Sequence, residues 1–271
     1  MIAHVDPPSS TLRAALRLIA LIIAVLLLLP FCAILIVGAG IGGSIARYRM
    51  VMSLTPIFCR IMAAALGLRV RITGTRSERA RIFVGNHVSY LDILVGGIGV
   101  GGVFVSRHDV RDWPVIGIFA RLAGTVFIDR RSLRSAISSS AGIVERARQG
   151  IRIALFPEGG TTSGESVGEF RPFLFSAISD AGIAVQPFTI IYSHIGSVPI
   201  TAANKTLVYW YDPAPPFTTH GWRLMKMKNV RATIHFHPPS APPESGDKSS
   251  VRLFADELRR QVADGLQVGG Q

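Results

Sequence analysis

Two side chains able to share a proton lie close together in the segment Ala80 to Asp92, Ala-Arg-Ile-Phe-Val-Gly-Asn-His-Val-Ser-Tyr-Leu-Asp: they are His87 and Asp92. A carboxylate that accepts one ring N–H of a histidine fixes its tautomer and leaves the other nitrogen free to take a proton. A histidine held in this way is a general base. No serine or cysteine nucleophile is evident beside it, so the group it activates belongs to the substrate. Ile82-Phe83-Val84 reads as a short buried strand ended by Gly85, with Asn86 and His87 at its exit. Ser89 is suited to cap a helix starting near Tyr90, which puts Asp92 in the first turn. A continuous helix would set residues five apart about 140° from each other, so only a loop between His87 and Asp92 lets them meet. For a bare His-x-x-x-x-Asp the commoner meaning is a capping aspartate and a surface histidine, and the wider sequence has to decide.

It does so through a resemblance. Asn86-His87-Val88-Ser89-Tyr90-Leu91-Asp92 resembles the first block of the glycerolipid acyltransferases typified by 1-acylglycerol-3-phosphate acyltransferase. The later blocks follow in order: Gly124-Thr125-Val126-Phe127-Ile128-Asp129-Arg130-Arg131, Phe156-Pro157-Glu158-Gly159, and Val185-Gln186-Pro187-Phe188. With their flanks they cover about Leu68 to Tyr211, and four ordered blocks are far more specific than one. The resemblance implies a membrane-bound O-acyltransferase that moves a fatty acyl group from coenzyme A or acyl carrier protein to a lysolipid hydroxyl. No metal and no cofactor beyond that thioester are expected. The first acceptor implied is 1-acylglycerol-3-phosphate. His87 and Asp92 take the catalytic roles, and Asn86, Ser89, Arg130, Arg131, Glu158, Gly159, Thr161, Thr162 and Pro187 the substrate-binding ones.

Each block also has a chemistry of its own. Arg130 and Arg131 leave a strand where a guanidinium grips phosphate with two parallel hydrogen bonds, although Asp129 to Arg131 alone would read as a solvated charged turn. Glu158 is placed to orient the acceptor or tune His87, and backbone N–H groups near Gly159 suit an oxyanion. The family's usual continuation after Glu-Gly is Thr-Arg-Ser, whereas this chain has Gly160-Thr161-Thr162-Ser163. An arginine is thus missing from the expected phosphate site. The Thr-Thr version, with Arg111-Asp112-Trp113-Pro114-Val115-Ile116-Gly117 upstream, resembles the lyso-ornithine lipid acyltransferases of the same superfamily, the alternative acceptor class.

The elements that must position these residues read as α/β from Leu68 on. Candidate strands are Arg69 to Thr73, Ile82 to Val84, Val103 to Ser106, Thr125 to Ile128, Ile151 to Phe156, Ile183 to Ile191, Thr206 to Tyr211 and Ala232 to His237. Ser132 to Gln149 carries apolar residues at helical spacing, with Gly150 as its stop, and Ser250 to Leu266 is a terminal amphipathic helix. Strand, helix, strand implies parallel crossovers, and with the resemblance a mixed, largely parallel sheet flanked by helices of the glycerol-3-phosphate acyltransferase kind. Motifs at strand exits then gather along one edge. Pro187 inside a strand argues for an edge position or a bulge.

Ahead of this domain the chain is apolar. Residues 1–17 read as a loose N-terminus, and residues 18–43 as a charge-free stretch long enough to cross a bilayer, with Pro30 as a kink near its middle. Residues 44–67 read as one or two basic interfacial or linking helices, broken near Pro56, and 68–271 as the catalytic domain. Positive charge flanks the apolar stretch on both sides, so orientation rests on the resemblance, which implies a catalytic domain facing the cytoplasm from the inner membrane. Over 271 residues, 49% are hydrophobic and Lys+Arg outnumber Asp+Glu by 29 to 17, a formal charge of +12. That balance suits an anionic membrane surface or substrate. Nucleic acid is set aside, because the basic residues are scattered and no nucleic-acid signature is present.

Three further patterns weigh against this reading or stand apart from it. Gly164-Glu165-Ser166-Val167-Gly168 matches the elbow of serine hydrolases, which needs a strand directly before it and a helix directly after. The strand here ends near Phe156, so an esterase using Ser166 is the weaker alternative, as is a non-catalytic membrane scaffold. His235 and His237 share one strand face without an evident third metal ligand. Cys32 and Cys59 imply neither a disulfide framework nor a zinc site.

Overall fold

The structure, a computed structural model, describes residues 9–114, 116–128, 133–244 and 247–268, apart from the side chains of 28–44, 133–139 and 268. Its centre is β2 (Ile82–Gly85), four residues buried throughout. A strand covered on both faces must be apolar at every position, which is why Ile-Phe-Val-Gly shows no polar alternation. Ile82 and Val84 point to one face of the sheet, where they pack with α4 (Leu133–Arg148), α5 (Phe173–Asp180) and α7 (Lys248–Val268). Phe83 points to the other face, toward α2 (Asp92–Gly99), α6 (Phe217–Lys226) and the end of α1 (Thr11–Leu66).

The remaining strands are β1 (Leu68–Gly74), β3 (Val103–Arg107), β4 (Val126–Ile128), β5 (Ile153–Leu155), β6 (Val185–Ile195), β7 (Val198–Pro199) and β8 (Val230–Phe236), and α3 (Ile116–Leu122) lies between β3 and β4. They form one eight-stranded sheet in the order β1-β8-β6-β2-β5-β3-β4, with β7 on β6. The pairings of β2 with β5 and β6, of β3 with β4 and β5, and of β1 with β8 are parallel. Those of β6 with β7 and β8 are antiparallel. The sheet is therefore mixed and largely parallel, with helices on both faces, as expected. The carboxyl ends of β2, β5, β3 and β4 share one edge, and the first three sequence blocks lie at the ends of β2, β4 and β5 there, while the fourth, Val185 to Phe188, forms the start of β6.

Three expectations are corrected. Pro187 lies in an interior strand, paired with Val84 of β2, not at an edge. It is tolerated because the ladder with β8 begins one residue later, at Phe188–Phe236, so no donor is required of it; its carbonyl accepts from His237 N at 3.0 Å. Thr206 to Tyr211 is no strand but a 3₁₀ turn, Lys205–Leu207, followed by irregular chain. Its backbone is drawn onto the loop after β2, with Trp210 N donating to Val88 O at 2.8 Å, and that tertiary contact overrides strand propensity. Finally, α1 is helical through Pro56, where a break was expected. Cys59 and Ala63 beyond the proline are buried against the α2 side, and that packing carries the helix on.

The helical stretch α1 does not run straight. Arg17 lies against Gly67, fifty positions on, where a straight helix would put them about 75 Å apart. Its guanidinium donates to Met227 O at 2.9 Å and Asn229 Oδ1 at 3.0 Å, beside the start of β8. The stretch thus folds back on itself between those points. Leu16, Ile19, Ile23, Leu26 and Leu27 stand exposed along its first part. Among the described residues, Ile45–Leu66 is the one segment long and apolar enough to cross a membrane. Much of the 18–43 stretch expected to do so has side chains outside the described ones.

Candidate active site

The chain leaves β2 at Gly85, where a Cβ would stand 2.2 Å from the Phe188 ring; only glycine lets that ring pack under the exit. Asn86 follows and continues the sheet with its side chain. Its Nδ2 donates to Ile190 O at 3.0 Å and its Oδ1 accepts from Ile190 N at 2.7 Å. Both ends of a buried amide are thereby satisfied, and the following residue is lifted out of the strand path. The loop from Asn86 to Leu91 then closes on the first residue of α2.

The closure brings the two expected residues together. His87 Nδ1 lies 2.8 Å from Asp92 Oδ2, which also accepts from Val88 N at 2.7 Å and Ser89 N at 2.9 Å. Asp92 Oδ1 accepts from the Tyr192 hydroxyl at 2.6 Å. A carboxylate partner makes Nδ1 the donor, so Nε2 is the free, basic nitrogen. Asp92 is wholly buried, whereas the His87 side chain keeps 17% exposure, enough for a substrate to reach. The imidazole stacks on Phe156, centroids 4.3 Å apart and planes 12° from parallel.

Glu158 leaves β5 beside this loop. Its Oε1 accepts from His87 N at 2.6 Å and its Oε2 from Gly168 N at 2.7 Å, so the carboxyl ties two loops together through their backbones. A Cβ at Gly168 would lie 2.8 Å from that oxygen. Burial pushes the Glu158 carboxyl above its ordinary range, and the Gly168 and His87 amides pull the other way. Thr162 also reaches the loop after β2, its N donating to His87 O at 2.8 Å and its hydroxyl to the same oxygen at 3.3 Å.

The other expected residues divide by what they touch. Ser89 is fully buried, donating to Val208 O at 2.7 Å and accepting from Leu91 N at 3.3 Å. Gly159 N closes a turn onto Phe156 O at 3.1 Å, so that particular N–H is already engaged. Thr161 is half-buried in the irregular chain that follows. Pro187 lies beneath the loop, in β6. Arg130 and Arg131 lie outside the described residues, directly after β4. A small cleft beside the site is lined by Ser106, Ile128, Phe156, Gly159 and Arg171.

Arg171 and Tyr192 escaped sequence reasoning, since neither lies in a recognised block. The seven-residue spacing of Val185 and Tyr192 in β6 carried no signal. Ser166 is exposed in a loop with neither strand before it nor helix after it, so the hydrolase elbow is not formed. Among the described residues no three His, Cys, Asp or Glu side chains converge as a metal site.

Among the described residues, a histidine held by a buried aspartate stands at the carboxyl edge of the parallel strands with no serine, threonine or cysteine side chain bonded to its ring, an arrangement that suits the class of enzymes that activate a group of their substrate. Comparison with known proteins gives that class a family. A family model described as Acyltransferase matches residues 69–191. The lyso-ornithine lipid O-acyltransferase of Rhodobacter capsulatus is 36% identical over 69% of this chain and 67% of its own length. That of Rhizobium meliloti is 35% identical over 77% and 74%. The 1-acyl-sn-glycerol-3-phosphate acyltransferase of Neisseria gonorrhoeae is 28% identical over 77% and 79%. The crystal structure of the 1-acyl-sn-glycerophosphate acyltransferase PlsC from Thermotoga maritima shares the fold, with a TM-score of 0.58 at 18% identity over 93% of this chain and 98% of that one. The chain belongs to the acyltransferase family, and it is a lysolipid acyltransferase.

Proposed function

We propose that the chain transfers a fatty acyl group from a coenzyme A or acyl carrier protein thioester directly to the hydroxyl of a lyso-ornithine lipid. One observation carries the mechanism: His87 Nδ1 is held 2.8 Å from Asp92, and among the described residues no serine, threonine or cysteine side chain hydrogen-bonds the ring. Nε2 takes the proton of the lysolipid hydroxyl as its oxygen attacks the thioester carbonyl. The tetrahedral adduct collapses, the C–S bond breaks, and the departing sulfur takes the proton from the imidazolium. No acyl-enzyme forms.

Two features favour the ornithine head group over phosphate. The relatives at 35–36% identity are named for it, and the phosphate acceptors lie at 28%. In the third block the half-buried Thr161 stands at the position where a phosphate-binding arginine was expected. The enzyme works at a membrane: the exposed leucines and isoleucines of α1 and the apolar Ile45–Leu66 segment support attachment there. A catalytic domain on the cytoplasmic face of the inner membrane fits a supply of activated acyl donors.

The test offers the detergent-purified protein labelled acyl-CoA or acyl carrier protein with lyso-ornithine lipid or 1-acylglycerol-3-phosphate, beside a His87→Ala control. Product from the ornithine acceptor, lost in the control, is expected. Product from the phosphate acceptor alone would overturn the head-group assignment. A covalent acyl group trapped on Ser166 or Cys59 would overturn direct transfer.

A further inference from the structure

The catalytic aspartate has two oxygens, and only one serves His87. Among the described residues, Oδ1 meets a single donor, the Tyr192 hydroxyl at 2.6 Å. Tyr192 is 3% exposed and Asp92 fully buried, so water cannot replace that donor. The tyrosine arrives by a specific device. Phe188, Ile190 and Tyr192 alternate onto the face of β6 that packs with Leu91 and Val95. The pairing with β8 then jumps from Tyr192–Ala232 to His194–Arg231, leaving Ser193 unpaired in a bulge. Bulges bend a strand and re-aim the side chain beside them. Burial, and next the Asp92 carboxylate, push the Tyr192 hydroxyl well above its ordinary range, so it stays a donor.

We propose that Tyr192 is a positioning residue for proton transfer: its hydroxyl clamps Oδ1 of Asp92, keeps Oδ2 aimed at His87, and sets the pH range in which His87 works as a base. This rests on the reading of His87 and Asp92 as the catalytic pair. Removing a donor from a buried carboxylate raises the proton affinity of the pair, whichever member takes the proton. The other titratable groups facing the pair are Glu158, bonded to the His87 backbone, and the hydroxyls of Tyr90 and Tyr209. Among the described residues none of these donates to Oδ1, so none substitutes for Tyr192.

The experiment measures kcat and KM from pH 5 to 9 on the full chain in detergent, with labelled acyl-CoA and whichever lysolipid the wild type accepts. Tyr192→Phe keeps the ring and removes the donor. Its acidic limb of kcat/KM is expected to move up by about one pH unit. Its kcat is expected to fall about tenfold with KM unchanged. Tyr209→Phe, which removes a neighbouring hydroxyl, should reproduce the wild-type profile. Incorporation of 3-fluorotyrosine at position 192, a more acidic donor of similar size, should move the limb to lower pH, and it decides the matter should the phenylalanine variant not fold. A wild-type profile in both position-192 variants, or a loss uniform across pH that follows thermal stability, overturns the proposal. An active His87→Ala would overturn the catalytic reading instead, and with it the ground for a clamp.

Discussion

The exits of β2 and β5 and the mutually antiparallel pair on one side of them, β6 with β8, handle buried polar groups for different ends. At the exits, polar side chains are gathered around one basic nitrogen: Asp92 holds His87, and Glu158 and Thr162 hold its backbone. In β6 they are distributed as ties. Gln186, fully buried, donates to Thr75 O and His237 O, each at 2.8 Å, and accepts from Ser77 N at 2.7 Å. Thr189 donates to Val262 O at 2.8 Å, which leaves its oxygen to accept from His237 Nε2, also at 2.8 Å. The parallel half presents chemistry at strand ends, where loops are free to approach a ligand, and the antiparallel half keeps that edge in register. Tyr192 crosses from the second group to the first.

Substitutions can break this division, and the largest effect is expected at the exits. Asp92→Asn keeps the shape of the pair but disturbs the tautomer of His87, and activity should fall roughly 10³-fold or more with the fold intact, as acyl transfer and circular dichroism would show. Glu158→Gln tests the boundary. An amide NH₂ cannot accept from both His87 N and Gly168 N, so chemical unfolding should register a loss of about 1–3 kcal/mol together with reduced kcat. Gln186→Leu should act on stability alone. It strands Ser77 N, Thr75 O and His237 O, costs roughly 3 kcal/mol, and leaves the acidic limb of the pH profile where it was. A shifted limb would show that the two regions are not separate.

A smaller effect separates the halves by pH. Burial lowers His237 from 6.5 to about 4, with His235 adding to the shift and Asp264 opposing it. The unfolded chain takes its proton near 6.5 and the folded one only near 4, so this contribution is present above about pH 6.5 and is lost as pH falls toward 4. Thermal melts at pH 4.5 and 7 should therefore differ less in His237→Asn than in the wild type. Smallest of all is Ser166→Ala, in an exposed loop and not part of the His87–Asp92 pair, which should leave activity and stability within about 0.5 kcal/mol of the wild type.

The division also marks what could be read before the fold was seen. The existence and order of β1 to β6 and β8, and the approximate limits of α4 and α7, were legible because each depends on neighbours within a few residues, though β6 runs four residues beyond the expected Ile191. The meeting of His87 with Asp92 was legible only with the resemblance of the blocks. Thr206 to Tyr211 was not. Its apolar run has strand propensity, but Ser89 and Val88 claim its backbone from more than a hundred residues away. Pro187 misled for a similar reason: whether a missing N–H matters depends on where the neighbouring ladder begins.

The sequence by itself determined the alternation that builds the sheet and the order of the blocks along the chain, since both follow from spacing and residue type. The pairing of His87 with Asp92 was legible through the resemblance that those ordered blocks carry. Tertiary structure alone decided which groups steady that pair. Glu158 reaches His87 across 71 positions, Tyr192 reaches Asp92 across 100, and Asn86 reaches Ile190 across 104. Arg17 returns to Gly67 because α1 folds back. A hydrogen bond between buried groups forms only where the fold has removed competing water, and no local pattern records which distant residue will be there.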